Sequence, residues 1–235
     1  MIVDNIFPIQ IFSFQYDKLD ELQEYVFHIE NSITHGANGV AVGMTPSNLH
    51  HRPEFENLVL FFNDCLEQYK NYYQYDCDKI SITAMWANMT IARSGNSHHQ
   101  HKHPLSFVSG IFYLTEGSPT AFFNPSNFEM FHVWNNLPEG EDNYFYERTP
   151  KVGQLVLFPS WLQHSTRPHL LDLHRHTISI NAIPAGMVNG NSLDQATRWN
   201  IEVKCKSNQF FQFIFMNFIM KRSLISVWHS SLMMI

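Results

Sequence analysis

The sequence predicts a mainly β domain, an antiparallel sandwich or barrel with helices on one side. Two observations point there. Two N-terminal stretches carry apolar residues at helical spacing, and from Ile80 onward strand-like runs recur with short turns between them. No internal repeat or low-complexity linker interrupts the chain. One domain is therefore expected over residues 1–190, with 191–235 a tail or a packed helix.

Ile6 to Phe14 alternates and is rich in β-formers, and Pro8 suits an edge strand. Leu19, Leu22, Val26 and Ile29 then follow a helical period. Residues 36–46 hold three glycines and Pro46 and are read as loop. A second helix is expected from Pro53, a residue suited to a first turn. Its stripe is Phe55, Leu58, Val59, Phe62 and Leu66. Strands are expected at Ile80–Ala92, Phe107–Leu114, Gly153–Phe158 and His176–Ile183. Turns at 94–96, 117–119, 138–140 and 159–160 separate them.

Composition narrows the function classes. The 235 residues include 15 Lys+Arg against 21 Asp+Glu, for a net charge of −6, so no basic stripe is available to neutralise a nucleic-acid backbone. A hydrophobic content of 44% with 15% charged residues opposes disorder. The cysteines, Cys65, Cys77 and Cys205, are odd in number and none form a CxxC pair. This disfavours a disulfide framework and favours a reducing cytoplasm. Asp4 and the lack of an early basic cluster argue against a signal peptide. The apolar run Phe210 to Met220 is too short for a membrane span. Fourteen histidines stand out, since imidazole is the commonest metal ligand.

Four of those histidines, His98, His99, His101 and His103, fall within six residues. On a strand, His101 and His103 would project to one face and could converge on a metal. A histidine-rich surface loop is the plain alternative, and His98 and His99 are closer to it. In the strand beginning at Phe107, Ser109, Ile111 and Tyr113 share a face. The run Gly153 to Pro159 delivers His164 after a Pro-Ser-Trp turn. From Arg175 the alternation is clean, with Arg175, Thr177, Ser179 and Asn181 on one face and His176, Ile178 and Ile180 on the other. A polar row of that kind suits a strand lining the mouth of a barrel that holds a polar ligand.

Four elements thus occur in order: His-x-His-Pro at 101–104, Ser-Gly-Ile-Phe-Tyr-Leu at 109–114, Gly-x-Leu-x-Leu-Phe-Pro-Ser-Trp-x-x-His at 153–164, and Arg-x-Thr-Ile-Ser-Ile-Asn at 175–181. Over about residues 80–185 this order resembles the iron(II)/2-oxoglutarate-dependent oxygenases, most closely a phage-associated branch with the His-x-His-Pro signature. The resemblance implies a double-stranded β-helix (jelly-roll, cupin-like) barrel. It implies an enzyme that uses Fe(II) and 2-oxoglutarate to hydroxylate a substrate with release of succinate and CO2. His101 and His164 would be metal ligands, with His103 at the place of the usual carboxylate. Arg175 would pair with the far carboxylate of 2-oxoglutarate, with Thr177, Tyr113 and Asn88 as further cosubstrate contacts. A phage-encoded protein would work in the host cytoplasm.

The His103 departure has consequences. Three neutral imidazoles leave the site one negative charge short, which weakens iron(II) binding and leaves room for zinc, copper or nickel. Alternatively His103 does not ligate. A cupin-type metal enzyme without 2-oxoglutarate is a second reading. It matches Gly95 to His103 and Gly153 to His164, but it lacks the motif's glutamate and gives Arg175 no role. A non-catalytic phage accessory barrel is a third. Phe107, Phe112, Phe122, Phe123 and Trp161 are candidate walls, and 127–148 reads as a recognition insertion. The substrate, a small molecule or a peptide, and the oligomeric state are not legible.

Overall fold

The computed structural model describes residues 8–33, 42–125 and 144–203. In chain order the elements are β1 (Phe12–Gln15), α1 (Leu22–Glu30), β2 (Val42–Met44), α2 (Glu56–Tyr73), β3 (Cys77–Thr90), β4 (Val108–Tyr113), β5 (Thr120–Phe123), β6 (Phe145–Arg148), β7 (Gln154–Pro159), β8 (His164–Thr166), β9 (Arg175–Val188) and β10 (Trp199–Ile201). Seven strands form one antiparallel sheet, in the order β1-β7-β4-β9-β3-β2 with β10 also on β9. A smaller sheet runs β6-β5-β8. A single bridge between His101 and His164 extends it on the β8 side. The mainly β architecture expected from the sequence is thus present, and the two sheets are those of a jelly roll.

The helices cover the outer face of the large sheet. α1 buries Leu22, Tyr25 and Ile29, and α2 buries Leu58, Phe62, Cys65, Leu66 and Tyr69, each set at the i, i+3, i+4 spacing of one helical face. Pro53 opens a 3-10 turn just before α2, and Gln74 ends the helix in a left-handed conformation. These side chains share one core with Met85, Phe112, Leu155, Leu157, Ile178 and Ile180 of the sheet. Gly110 of β4 allows the close packing at its centre, since a Cβ there would lie 2.7 Å from Leu157 and 2.8 Å from Ile180.

Strand alternation divides the large sheet into two chemistries. Residues 108, 112 and 114 face the helices, whereas Ile111 and Tyr113 join Val156, Phe158, Phe122 and Leu162 in a second core between the sheets. Phe112 is therefore not a wall of the barrel interior. Its ring sits 5.5 Å from that of Phe62, on the helix side. Phe107 likewise packs on Tyr75 at 5.0 Å, outside the barrel.

Several expectations change at the short elements. The glycine-bearing loop from 36 to 46 contains β2, because Val42, Gly43 and Met44 pair with Thr90, Met89 and Asn88. Residues 34–41 of that loop lie outside the described residues. The first strand starts at Phe12 rather than Ile6, and residues 1–7 also lie outside. Of the insertion, 126–143 lie outside, and its last four residues are β6. Trp199–Ile201 pairs with Gly186 to Val188, so this part of the tail is strand, while 204–235 and Cys205 lie outside. Among the described residues no helix is long and apolar enough to cross a membrane.

Phe112 joins the sheet to both Phe62 and Tyr16. Phe112→Ala is expected to lower unfolding stability by about 3–5 kcal/mol, read from urea denaturation. A loss below about 1 kcal/mol would show that the helix layer does not depend on it.

Candidate metal centre and anion pocket

Backbone pairing brings the histidines together. The His101 N–H donates to the His164 carbonyl at 3.0 Å, and the His164 N–H donates back at 2.9 Å. Paired antiparallel residues project to the same face, so both rings point into the space between the sheets. His103 is placed separately, by donating its N–H to the Ser160 carbonyl at 3.0 Å. The Ser160 hydroxyl is in turn buried between those of Ser109 (2.8 Å) and Ser106 (2.9 Å). One polar cluster therefore ties the His103 segment to β4 and to the end of β7.

The three rings form a compact donor set. One nitrogen from each lies within 4.8 Å of the others, and Nε2 of His103 is 3.3 Å from Nε2 of His164. Two imidazole nitrogens each about 2.0–2.1 Å from one ion at a tetrahedral angle stand roughly 3.3 Å apart, so the spacing fits a single metal. Tautomers fit as well. His101 Nδ1 lies 2.7 Å from the His99 carbonyl and His164 Nδ1 lies 3.1 Å from that of Leu162. A proton on each Nδ1 leaves an Nε2 lone pair free for a metal. Burial pushes the His164 ring down to about 3 and that of His103 to about 4, so both are neutral at pH 7. Phe158, Phe122 and Trp86 pack about the rings at 4.8, 6.1 and 5.7 Å between centroids. Three imidazole donors are one short of the four ligands of a closed structural site, which suits a reactive metal site.

Arg175 supplies the second half of the site. It is 2% exposed, and among the described residues no carboxylate pairs with it. Its Nε donates to the Ser118 carbonyl at 3.3 Å, one Nη reaches Thr177 Oγ1 at 3.5 Å, and the guanidinium carbon lies 5.9 Å from the Tyr113 ring centre. Burial disfavours its charge, which an arriving anion would restore. Register places the other expected residues beside it. Thr177 has Asn88 on one flank and Tyr113 on the other, and Arg175 pairs with Thr90. Tyr113 is held by a 2.9 Å hydrogen bond to Thr120, and Asn88 donates to Ser179 at 3.3 Å.

A metal triad and a buried, uncompensated guanidinium therefore share one barrel interior. Residues 84–181 match the profile of a family described as "Putative 2OG-Fe(II) oxygenase". Residues 84–181 are a 2OG-Fe(II) oxygenase domain. Iron(II) and 2-oxoglutarate are the cofactors of this oxygenase family. Solved structures share the fold. A prolyl-4-hydroxylase from Pseudomonas putida superposes with a TM-score of 0.54 at 11% identity, over 76% of this chain and 94% of its own. HygX from Streptomyces hygroscopicus, with nickel and 2-oxoglutarate bound, does so with 0.52 at 13%, over 82% and 91%. The epimerase SnoN, in complex with Fe3+, alpha ketoglutarate and nogalamycin RO, gives 0.57 at 10%, over 75% and 80%. No curated protein matches the chain in sequence.

Sequence reading passed over several residues that surround these groups. Gly117 and Ser118 looked like turn residues only. Yet a Cβ on Gly117 would sit 2.5 Å from Arg175 Cγ, so the glycine makes room for the arginine stem. Thr120 and Thr166 lie in short elements with no pattern to mark them, and Ser160 was read only as a turn residue. Trp86 did lie in an expected strand, two residues before Asn88 and so on its face, but only the fold sets its ring 5.7 Å from that of His103.

Two outcomes follow from this geometry. Gly117→Ala is expected to displace Arg175 and weaken 2-oxoglutarate binding at least tenfold, with the thermal midpoint changed by only a few degrees; unchanged affinity would refute the crowding argument. The second concerns pH. His98, His103 and His164 are held at about 4, 4 and 3 in the fold, against an ordinary value of 6.5. Below pH 6.5 the unfolded chain takes up protons that the fold refuses, so stability falls with pH from 6.5 toward 4. The urea midpoint of metal-free protein should be lower at pH 5.5 than at pH 7.5, and a flat profile would contradict the buried, neutral state.

Proposed function

We propose that His101, His103 and His164 hold iron(II), and that 2-oxoglutarate sets its far carboxylate on Arg175. On this reading Thr177 and Tyr113 flank that carboxylate and Asn88 lines the pocket. The enzyme is an iron(II)/2-oxoglutarate-dependent oxygenase that hydroxylates a small molecule or peptide and releases succinate and CO2. The observation that carries this assignment is the buried Arg175 guanidinium, without a carboxylate partner among the described residues, on the same inner surface as the histidines. A cupin-type site would leave that guanidinium without a purpose, and a structural role in a non-catalytic barrel would call for four ligands rather than the three grouped here.

Iron(II), when bound, supplies the redox chemistry that splits 2-oxoglutarate and oxidises the substrate. The protein's own part is binding, orientation and burial. Two carbonyls fix the tautomers of His101 and His164. Arg175 selects a dicarboxylate by pairing with the end remote from the metal. Phe122 and Phe158 pack against the His164 ring and Trp86 against that of His103, which gives those two ligands an apolar setting. His103 brings no negative charge, so the dianionic cosubstrate compensates more of the metal's charge than in a site with a carboxylate. Weaker iron(II) retention and ready acceptance of nickel or zinc follow.

The finer placement rests on sequence. The His-x-His-Pro signature supports the phage-associated branch, and the odd cysteine count supports the host cytoplasm. Residues 1–190 are proposed as one domain, with Trp199–Ile201 adding a short edge to β9 beyond it. The scarcity of basic residues supports a substrate other than nucleic acid.

Arg175→Ala is expected to abolish 2-oxoglutarate-dependent succinate release while the bound metal, read by elemental analysis, stays near one equivalent. His164→Ala is expected to lose the metal. Retention of 2-oxoglutarate affinity in the first variant, or of metal in the second, would overturn the assignment.

A further inference from the structure

His98 lies outside the metal triad but on its face. The triad's backbone pairing sets His101 against His164, so regular antiparallel register would set residue 99 against Thr166. The structure departs from that. Thr166 donates its N–H to the His98 carbonyl at 3.2 Å, and the His98 N–H donates to Thr166 Oγ1 at 2.7 Å. One extra residue is thus accommodated between 98 and 101, and a bulge of this kind re-aims side chains. Thr166 stands two residues beyond His164 and so faces inward with it. Through the bulge, His98 does too.

The ring's surroundings indicate its role. His98 Nδ1 is 3.5 Å from Thr166 Oγ1. That oxygen already accepts the His98 backbone N–H, so its own proton is free for Nδ1, which leaves Nε2 as the protonated nitrogen. Thr166 pairs with Thr120, whose hydroxyl lies 2.9 Å from that of Tyr113, and the Tyr113 ring centre is 5.9 Å from the Arg175 guanidinium carbon, while His164 stands two residues before Thr166 on the same strand. His98 therefore lies toward both the guanidinium and the metal triad. Arg175 spends Nε on Ser118 and one Nη on Thr177, which leaves fewer of its five N–H groups for an incoming anion. A neutral N–H donor adds a hydrogen bond without burying a second positive charge beside the first.

We infer that His98 is a cosubstrate-binding residue, whose Nε2–H donates to the far carboxylate of 2-oxoglutarate alongside Arg175. This rests on the proposed placement of 2-oxoglutarate above. The test titrates 2-oxoglutarate, and separately pyruvate, into the full chain loaded with nickel(II) under nitrogen, by calorimetry. Pyruvate has the 2-oxo acid end but no far carboxylate. His98→Ala is expected to weaken 2-oxoglutarate binding about ten- to a hundredfold, the cost of a lost hydrogen bond to a charged group. Pyruvate and nickel affinities should stay unchanged. His98→Gln, which keeps an amide donor at about the reach of Nε2, should recover most of the loss. Equal losses for pyruvate, or loss of nickel, would overturn the inference by showing that His98 acts through the backbone or the triad. Unchanged 2-oxoglutarate affinity in His98→Ala, with a large loss in Arg175→Ala, would overturn it and leave the Arg175 anchor standing. Unchanged affinity in both variants would overturn both.

Discussion

The site depends on one pair of backbone hydrogen bonds, the reciprocal contact between His101 and His164. The two residues are far apart in sequence, and neither sits in a long strand. The pairing spends N–H and C=O groups that would otherwise be left at a sheet edge, and it sets two imidazoles on one face at strand spacing. Everything around it serves that contact. The Ser106–Ser160–Ser109 hydroxyls hold the turn that precedes His164 and receives His103. Phe122 of β5 packs with Ile111, Val156 and Phe158 of the large sheet and holds the two sheets together. Removal of the pairing would leave three histidines on two independent loops, with no reason to meet.

Electrostatics makes this arrangement receptive rather than self-contained. Burial keeps the His103 and His164 rings neutral, and Arg175 is buried without a counter-ion among the described residues. Such an interior is short of negative charge, and a metal ion makes the shortage larger. A dicarboxylate taken up beside Arg175 would relieve that shortage. The apolar side of β9 explains why the guanidinium stays in place. Ile178 and Ile180 are locked into the helix-facing core, so alternation forces their neighbours Arg175, Thr177 and Ser179 to the interior.

The legible parts of the fold were the long elements. α2 and the strands β3, β4, β7 and β9 each carry enough periodic residues for pattern to override noise, and the faces read from that pattern in α2, β4 and β9 are those the structure shows. The small sheet was illegible. β5, β6 and β8 span three or four residues each, too short for a period to register. β2 looked like loop because glycine and proline dominate its surroundings, yet backbone pairing to β3 is indifferent to those side chains. The aromatic walls divided for a related reason. Phe122 and Phe158 line the interior, whereas Phe112 is on the wrong parity and packs on α2.

By itself the sequence determined a mainly β fold with helices on one side and the polar face of β9, because these follow from local period, while the groups proposed to hold metal and anion were named through the resemblance that its four motifs carry. Only the tertiary structure decided which of the clustered histidines face inward. His101 does so through its pairing with His164, His103 through Ser160, and His98 through a one-residue bulge that no local pattern encodes. It alone also showed that Gly117 and Ser118 make room and an acceptor for Arg175. These are contacts between segments distant in sequence, set by sheet register and close packing, and register is a property of two strands together rather than of either one.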